Sequence, residues 1–198
     1  QALARTRESF AFVQSVHNPF ALARSVAGMG FVHVYRREPQ PEDGPLGKAI
    51  ALCVEQGFPY FQAVVSTFQA TNLALLGRLD EAKVLLCENI ERLGEIGSDL
   101  LMTVISGHLA ALCLTRGEYD EGFAAIVKGL ELVERTGEHW GEPELYRLRG
   151  ELLLAAGDKA GEAQACFERA IRTARGFQAR AYELRATTSL ARLWRTQG

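Results

Sequence analysis

The stretch "GRLDEA" runs from Gly77 to Ala82. Forty residues on, the chain reads "GEYDEG" from Gly117, and forty further "GDKAGEA" from Gly157. A glycine, an acid-rich turn and a small residue return at a fixed interval. Self-similarity with a period of about 20 to 50 residues is the mark of stacked-repeat architectures. A second series interleaves with the first, about twenty residues out of phase: "GFPYF" at Gly57, "GSDLL" at Gly97, "GEHWG" at Gly137 and "GFQAR" at Gly176. "HNPFA" at His17 fills the slot forty residues before Gly57.

Between these marks the pattern is helical. Leu79, Ala82, Leu86, Ile90 and Leu93 recur at spacings of three and four, the signature of one apolar helix face. Tyr119, Phe123, Ile126, Leu130 and Val133 do the same, as do Ala163, Phe167, Ala170, Ile171 and Ala174. The segment "DLLMTVISGHLAALCLTR" is apolar on more than one side, as expected of a helix packed between neighbours. Glycine after each run suits a left-handed helix end, and Asp80, Ser98 and Asp158 stand where N-caps belong. No stretch alternates with period two between turn dipeptides. The spacing predicts ten helices, at 1–16, 18–37, 45–56, 58–76, 79–96, 98–116, 118–136, 141–156, 159–175 and 178–197. "REPQPEDGP" is the one long connection. Pro39, Pro41 and Pro45 exclude a continuous helix there, yet the forty-residue phase survives across it. The expectation is therefore an all-α, right-handed superhelix, a single domain over 1–198, with hairpins at about 1–37, 45–76, 79–116, 118–156 and 159–197.

Composition sets limits on function. With 47% hydrophobic and 23% charged residues the 198-residue chain has an ordinary globular make-up. A net charge of −2 argues against bulk attraction to nucleic acid or membrane, and no run of apolar residues is long enough to span a bilayer. Cys53, Cys87, Cys113 and Cys166 are widely spaced with no C-x-x-C, which suits buried thiols in a reducing cytoplasm. The opening Gln1 suggests a piece of something longer. Charge is uneven: from Arg169 onward seven arginines face one acid, Glu183, giving +6 against −8 for residues 1–168. Such an end either faces a phosphate or an acidic partner, or forms a solvated arginine-rich helix face.

Catalytic patterns are absent from the sequence. "GPLGKA" at 44–49 lacks the phosphate-loop spacing, and Ala49 stands where the magnesium-binding hydroxyl belongs. "GEHWGEPE" holds one histidine and no H-E-x-x-H, and His17, His33, His108 and His139 are scattered. No nucleophile elbow or Cys-His signature occurs. The reading is of a non-enzymatic segment with no catalytic residue, cofactor or metal site.

The hairpin "LLMTVISGHLAALCLTRGEYDEGFAAIVKGLELV" resembles a tetratricopeptide repeat (TPR) lengthened from 34 residues to about 40. Seven residues before the turn glycine the TPR pattern wants a small residue, supplied by Ala70, Ala110 and Gly150. After the turn it wants another, supplied by Ala82, Gly122 and, shifted by one inserted residue, Ala163. A bulky apolar residue four further on is met by Leu86, Ile126 and Phe167. Small residues let two helices approach, and the large one fills the groove beside them. The repeat-ending proline is missing, and so are aromatics at the usual first-helix positions.

Towards the C-terminus "EPELYRLRGELLLAAGD", "GEAQACFERAIRTAR" and "ELRATTSLARLW" resemble the last repeats of a bacterial group. Its members join a class III adenylate/guanylate cyclase to a STAND-type ATPase and a long TPR array. Related arrays end LuxR-type STAND transcription regulators. The likeness covers about residues 77–198. It implies a sensor or autoinhibitory module that docks on the ATPase core of its own chain; the other reading is a free-standing adaptor whose groove takes a peptide. Any ATPase or cyclase chemistry would lie upstream.

If the TPR register holds, Glu144, Arg147 and Glu151 share the inner face of one helix, the face that binds peptides in this superfamily. Val104, Gly107 and Ala111 share it one repeat earlier, and Val64, Thr67 and Thr71 two repeats earlier. Arg147 either contacts a ligand there or bridges two glutamates on a solvated face. In the last helix, Leu184, Leu190, Leu193 and Trp194 are more apolar surface than the preceding helix alone should cover. Gly198 falls where the next turn glycine belongs. Leu193, Trp194 or both are therefore expected to be exposed or covered by a second copy, a docking or self-association surface.

Overall fold

The computed structural model describes residues 2–157 and 159–197. The described residues form ten α-helices and no strand: α1 (Ala2–Gln14), α2 (Pro19–Tyr35), α3 (Pro45–Gln56), α4 (Pro59–Leu75), α5 (Leu79–Ile96), α6 (Met102–Arg116), α7 (Tyr119–Thr136), α8 (Glu142–Gly157), α9 (Ala160–Gly176) and α10 (Arg180–Gln197). The all-α expectation holds, and the helices pack as successive hairpins of a helical-repeat kind. They divide into two compact units, residues 1–98 and 99–198.

The periodicity has a backbone cause. Residues with positive φ stand at 17, 37, 57, 77, 97, 117 and 137, one every twenty positions. Five are glycines, which reach the left-handed region without a Cβ penalty and end the preceding helix there. His17 (φ 52°) and Arg37 (φ 57°) adopt it without that relief. The series then shifts: Gly157 remains inside α8, Gly176 ends α9 in helical conformation, and Gln178 (φ 55°) takes the left-handed place.

Two of the expected caps are different. Asp80 lies inside the first turn of α5, where its charge favours the helix dipole, and Arg78 holds the cap position. Ser98 precedes α6 by four residues; Leu101 caps that helix in left-handed conformation (φ 67°). Its N–H is satisfied from 37 residues away, donating to both carboxylate oxygens of Glu138 at 3.1 and 3.2 Å. Asp158 lies outside the described residues, as does Gly198.

In the first unit α2–α3 and α4–α5 are the most extensively packed pairs, with α1 against α2 and α3 against α4. Gly30 on α2 faces Leu46 on α3 so closely that a Cβ there would stand 2.5 Å from the leucine. The long connection is tied down by Asn72 of α4, fully buried. Its carboxamide oxygen accepts from the Gln40 N–H at 2.8 Å, and its Nδ2 donates to the Gln40 carbonyl at 2.9 Å. That two-bond clamp lets the connection lengthen without shifting the phase.

In the second unit α6–α7, α8–α9 and α9–α10 pack most extensively, and α8 also meets α6 and α10. The hairpins are therefore those around Gly77, Gly117 and Gly157. The expected division at 45–76, 79–116 and 118–156 cuts across them, and α5 and α6 fall in different units. The small and bulky repeat positions do what close packing requires. Ala70, Ala82, Ala110 and Ala163 have no exposed surface, and Leu86, Ile126 and Phe167 are buried beside them. A Cβ on Gly150 would lie 2.5 Å from the Phe167 ring, and one on Gly122 2.9 Å from Leu152.

Candidate functional site

The helices α6, α8 and α10 of the second unit carry a joined set of polar side chains. The centre is Arg147, whose side chain is 11% exposed. Its Nε and Nη2 donate to the two carboxylate oxygens of Glu144 at 3.0 and 2.7 Å, a bidentate pair across one helix turn. Its Nη1 donates to Glu151 Oε1 at 3.2 Å and reaches Ser189 Oγ on α10 at 3.5 Å. Ser189 in turn donates to Glu151 Oε1 at 2.6 Å, and Arg185 Nη2 lies 2.8 Å from Glu144 Oε1. Two carboxylates and two guanidinium groups thus balance, and α8 is bound to α10 through them.

The i, i+3, i+7 spacing that placed Glu144, Arg147 and Glu151 on one face is realised. The face is not a solvated one: α10 covers it, supplying Arg185 and Ser189, which pattern reading had not singled out. The signal for them lay in tertiary structure, since residues about forty apart on successive repeats meet only once the helices stack. Burial works against the charge of Arg147, but Glu144 and Glu151 outweigh it and hold the guanidinium above its ordinary range. His108 on α6 belongs to the same neighbourhood. Burial lowers its pKa to about 4; Glu144 opposes that shift and the Arg185 cation adds to it. Near neutral pH the ring is uncharged.

Thr67 and Thr71 lie on α4 of the first unit. Thr67 is buried and donates to the Ala63 carbonyl at 3.0 Å; Thr71 donates to the Thr67 carbonyl at 3.3 Å. Both hydroxyls return to their own helix, a use that bends helices rather than presenting a donor. Trp194 is 53% exposed, as expected, whereas Leu193 is not: at 4% exposure it belongs to the core formed by Phe167, Ile171, Ala186 and Leu190. Three- and four-residue spacing puts Leu193 with Leu190 and Ala186, on the side turned to α9.

The four cysteines are free thiols, two of them fully buried. Burial pushes Cys53 and Cys166 above the ordinary thiol range, which disfavours the nucleophilic thiolate. Cys113, Glu118 and Glu121 bring potential metal-ligating atoms within 4.8 Å of one another. Glu118 is already engaged by Arg116 at 2.8 Å, so a cation there would compete with a guanidinium. Among the described residues no helix is long and apolar enough to cross a membrane.

No family model and no curated protein matches this chain. Its fold is similar to that of solved structures, among them the crystal structure of BtubC (BKLC) from P. vanneervenii. That likeness has a TM-score of 0.68 over 99% of this chain and 89% of that chain, at 15% identity. At such identity the similarity is one of fold.

Proposed function

We propose that this chain is a non-catalytic, TPR-like protein-interaction module of the bacterial cytoplasm, serving as the sensor of a STAND ATPase–nucleotide cyclase. The observation that carries the interaction reading is the polar strip across α6, α8 and α10. Repeat proteins bind extended partners on surfaces shared by successive repeats, because each repeat adds one more helix to the same face. Here the strip is anchored at its centre and open at its rim. Arg147 holds Glu144 and Glu151 in fixed positions, while the side chains of Arg185 and Glu151 remain 39% and 26% exposed. One cation and one anion on a rigid base suit a protein or peptide segment of mixed charge. They suit nucleic acid poorly, since both glutamates would repel its phosphates. The parent enzyme rests on the resemblance of the segments at 142–158, 161–175 and 183–194 to the arrays of that group.

On this reading the module restrains the ATPase core of its own polypeptide until a signal displaces it. The test is made in the parent protein. Deleting residues 1–198 should raise basal nucleotide turnover, and adding the isolated module in trans should lower it again. Arg185→Glu should abolish that inhibition while leaving the module folded. A parent lacking a P-loop ATPase, or turnover indifferent to the module, would overturn the reading and favour the adaptor; a DNA-binding domain beside a STAND ATPase would favour a transcription regulator.

A further inference from the structure

The start of α6 departs from the repeat. α2 and α4 begin at Pro19 and Pro59, and the same register would start α6 at Asp99; it starts instead at Met102. The turn ahead of it ends on Leu101, whose φ of 67° is strained for a side chain branching at a Cβ. Ser98 stands eighty residues after Asn18, and Leu101 eighty after Ala21. In the first repeat those two places form a side-chain cap: Asn18 Oδ1 accepts from the Ala21 N–H at 2.9 Å, and α2 winds from the next residue. A serine is as able a cap as an asparagine and reaches the same N–H, three residues on.

In α6 that N–H has another acceptor. Leu101 donates to both carboxylate oxygens of Glu138, at 3.1 and 3.2 Å, and Asp99 is drawn the same way by Arg135, 2.9 Å from its carboxylate. These ties keep the expected first turn of α6 unwound. Their hold is incomplete: burial pushes the Glu138 carboxyl above its ordinary range despite the hydrogen bond from Leu101, so the carboxylate charge is not fully repaid there. One N–H thus has two acceptors, one in a strained turn and one in an unstrained helix start.

We infer that residues 99–101 are a switchable first turn of α6, held off the helix by Glu138 and wound onto it behind a Ser98 cap when Glu138 lets go. The switch sets the display of an apolar side chain. Leu100 is 57% exposed in the unwound turn, whereas Tyr60 and Phe61, which match Leu100 and Leu101 in the wound start of α4, are both partly buried. The device is independent of the polar strip and of the parent enzyme proposed above.

The test is made on the full chain by backbone NMR. In Glu138→Ala the Cα shifts of Asp99, Leu100 and Leu101 should move from turn to helical values, while amides distant from the turn keep their positions. Adding Ser98→Ala should abolish the helical shifts, because the wound form then lacks its cap. Glu138→Gln, which keeps a weaker acceptor of the same shape, should give a smaller move in the same direction and serves if the alanine variant does not fold. Leu101→Gly, which relieves the strain of the left-handed residue, should hold the turn unwound even beside Glu138→Gln. Turn values retained in the Glu138 variants, or helical values indifferent to Ser98→Ala, overturn the inference. So do random-coil shifts at 99–101 in an otherwise folded Glu138 variant, which would make Glu138 a plain cap with no second state behind it.

Discussion

Gly150 of α8 and Phe167 of α9 are fitted to each other: the ring of Phe167 occupies the space that any side chain at position 150 would need. The distance from an added Cβ to Phe167 Cε1 would be 2.5 Å, well inside contact. Gly30 and Leu46 repeat the relationship in the first unit, and Ala70 with Leu86 and Ala110 with Ile126 hold the same places in the intervening repeats. One packing solution is used four times.

Replacing Gly150 by alanine therefore sets two effects against each other. Alanine gains up to about 1 kcal/mol of helix propensity over glycine. Overpacking a filled core costs about 1–3 kcal/mol, and here the obstacle is a fully buried ring with little room to move. Gly150→Ala should be net destabilising in urea unfolding, and Phe167→Leu should cost less in the Gly150→Ala background than alone. Simple additivity of the two would show that the ring and position 150 do not meet.

Asn72→Ala should release the long connection. It removes both hydrogen bonds to Gln40 and costs about 1–3 kcal/mol for the groups left unpaired. Trypsin cleavage after Arg36 or Arg37 should accelerate more than global unfolding does. Unchanged cleavage at those sites would mean that the connection is held by something other than Asn72.

His108 predicts a pH dependence of stability. Its pKa falls from about 6.5 in the unfolded chain to about 4 in the fold. Between those values the unfolded state binds the proton and the native state does not, so stability declines as pH falls from about 6.5 towards 4. At pH 5 the loss relative to pH 7 is on the order of 2 kcal/mol. His108→Phe should remove that part of the slope. Urea unfolding at the two pH values decides it; an unchanged slope would assign the acid sensitivity to other groups.

Arg147→Glu should unfold the second unit before it tests any ligand. Breaking a buried ion pair by removing one partner costs about 3–5 kcal/mol, and here the new carboxylate would face Glu144 and Glu151. Arg185→Glu, at the exposed rim, should cost far less. A ligand effect at this site is therefore to be sought at Arg185, with thermal unfolding of both variants as the control. Equal melting temperatures for Arg147→Glu and the parent would contradict the observed burial.

Much of this architecture is local and was legible in the sequence. A helix end that needs positive φ is marked by glycine wherever glycine is used, and Gly57, Gly77, Gly97, Gly117 and Gly137 mark five such ends at their true places. The apolar positions at three- and four-residue spacing became buried faces, because helical pitch carries sequence distance into direction. His17 was placed by its forty-residue spacing from Gly57, whereas Arg37 adopts the same backbone with no mark in the sequence, so the full twenty-residue series appeared only in the folded chain.

Tertiary structure decided which polar groups meet and which apolar ones are covered. Glu138 caps α6 from the next inter-hairpin turn, and Asn72 holds Gln40 from 32 residues away; neither pairing leaves a periodic trace. Arg185 and Ser189 join Glu144, Arg147 and Glu151 because α8 and α10 stack, which converts an apparently solvated face into a buried network. Leu193 and Trp194 are adjacent in sequence and opposite in fate, since a step of one residue turns a helix by about 100°. That turn places Leu193 against α9 and leaves Trp194 with no described helix over it.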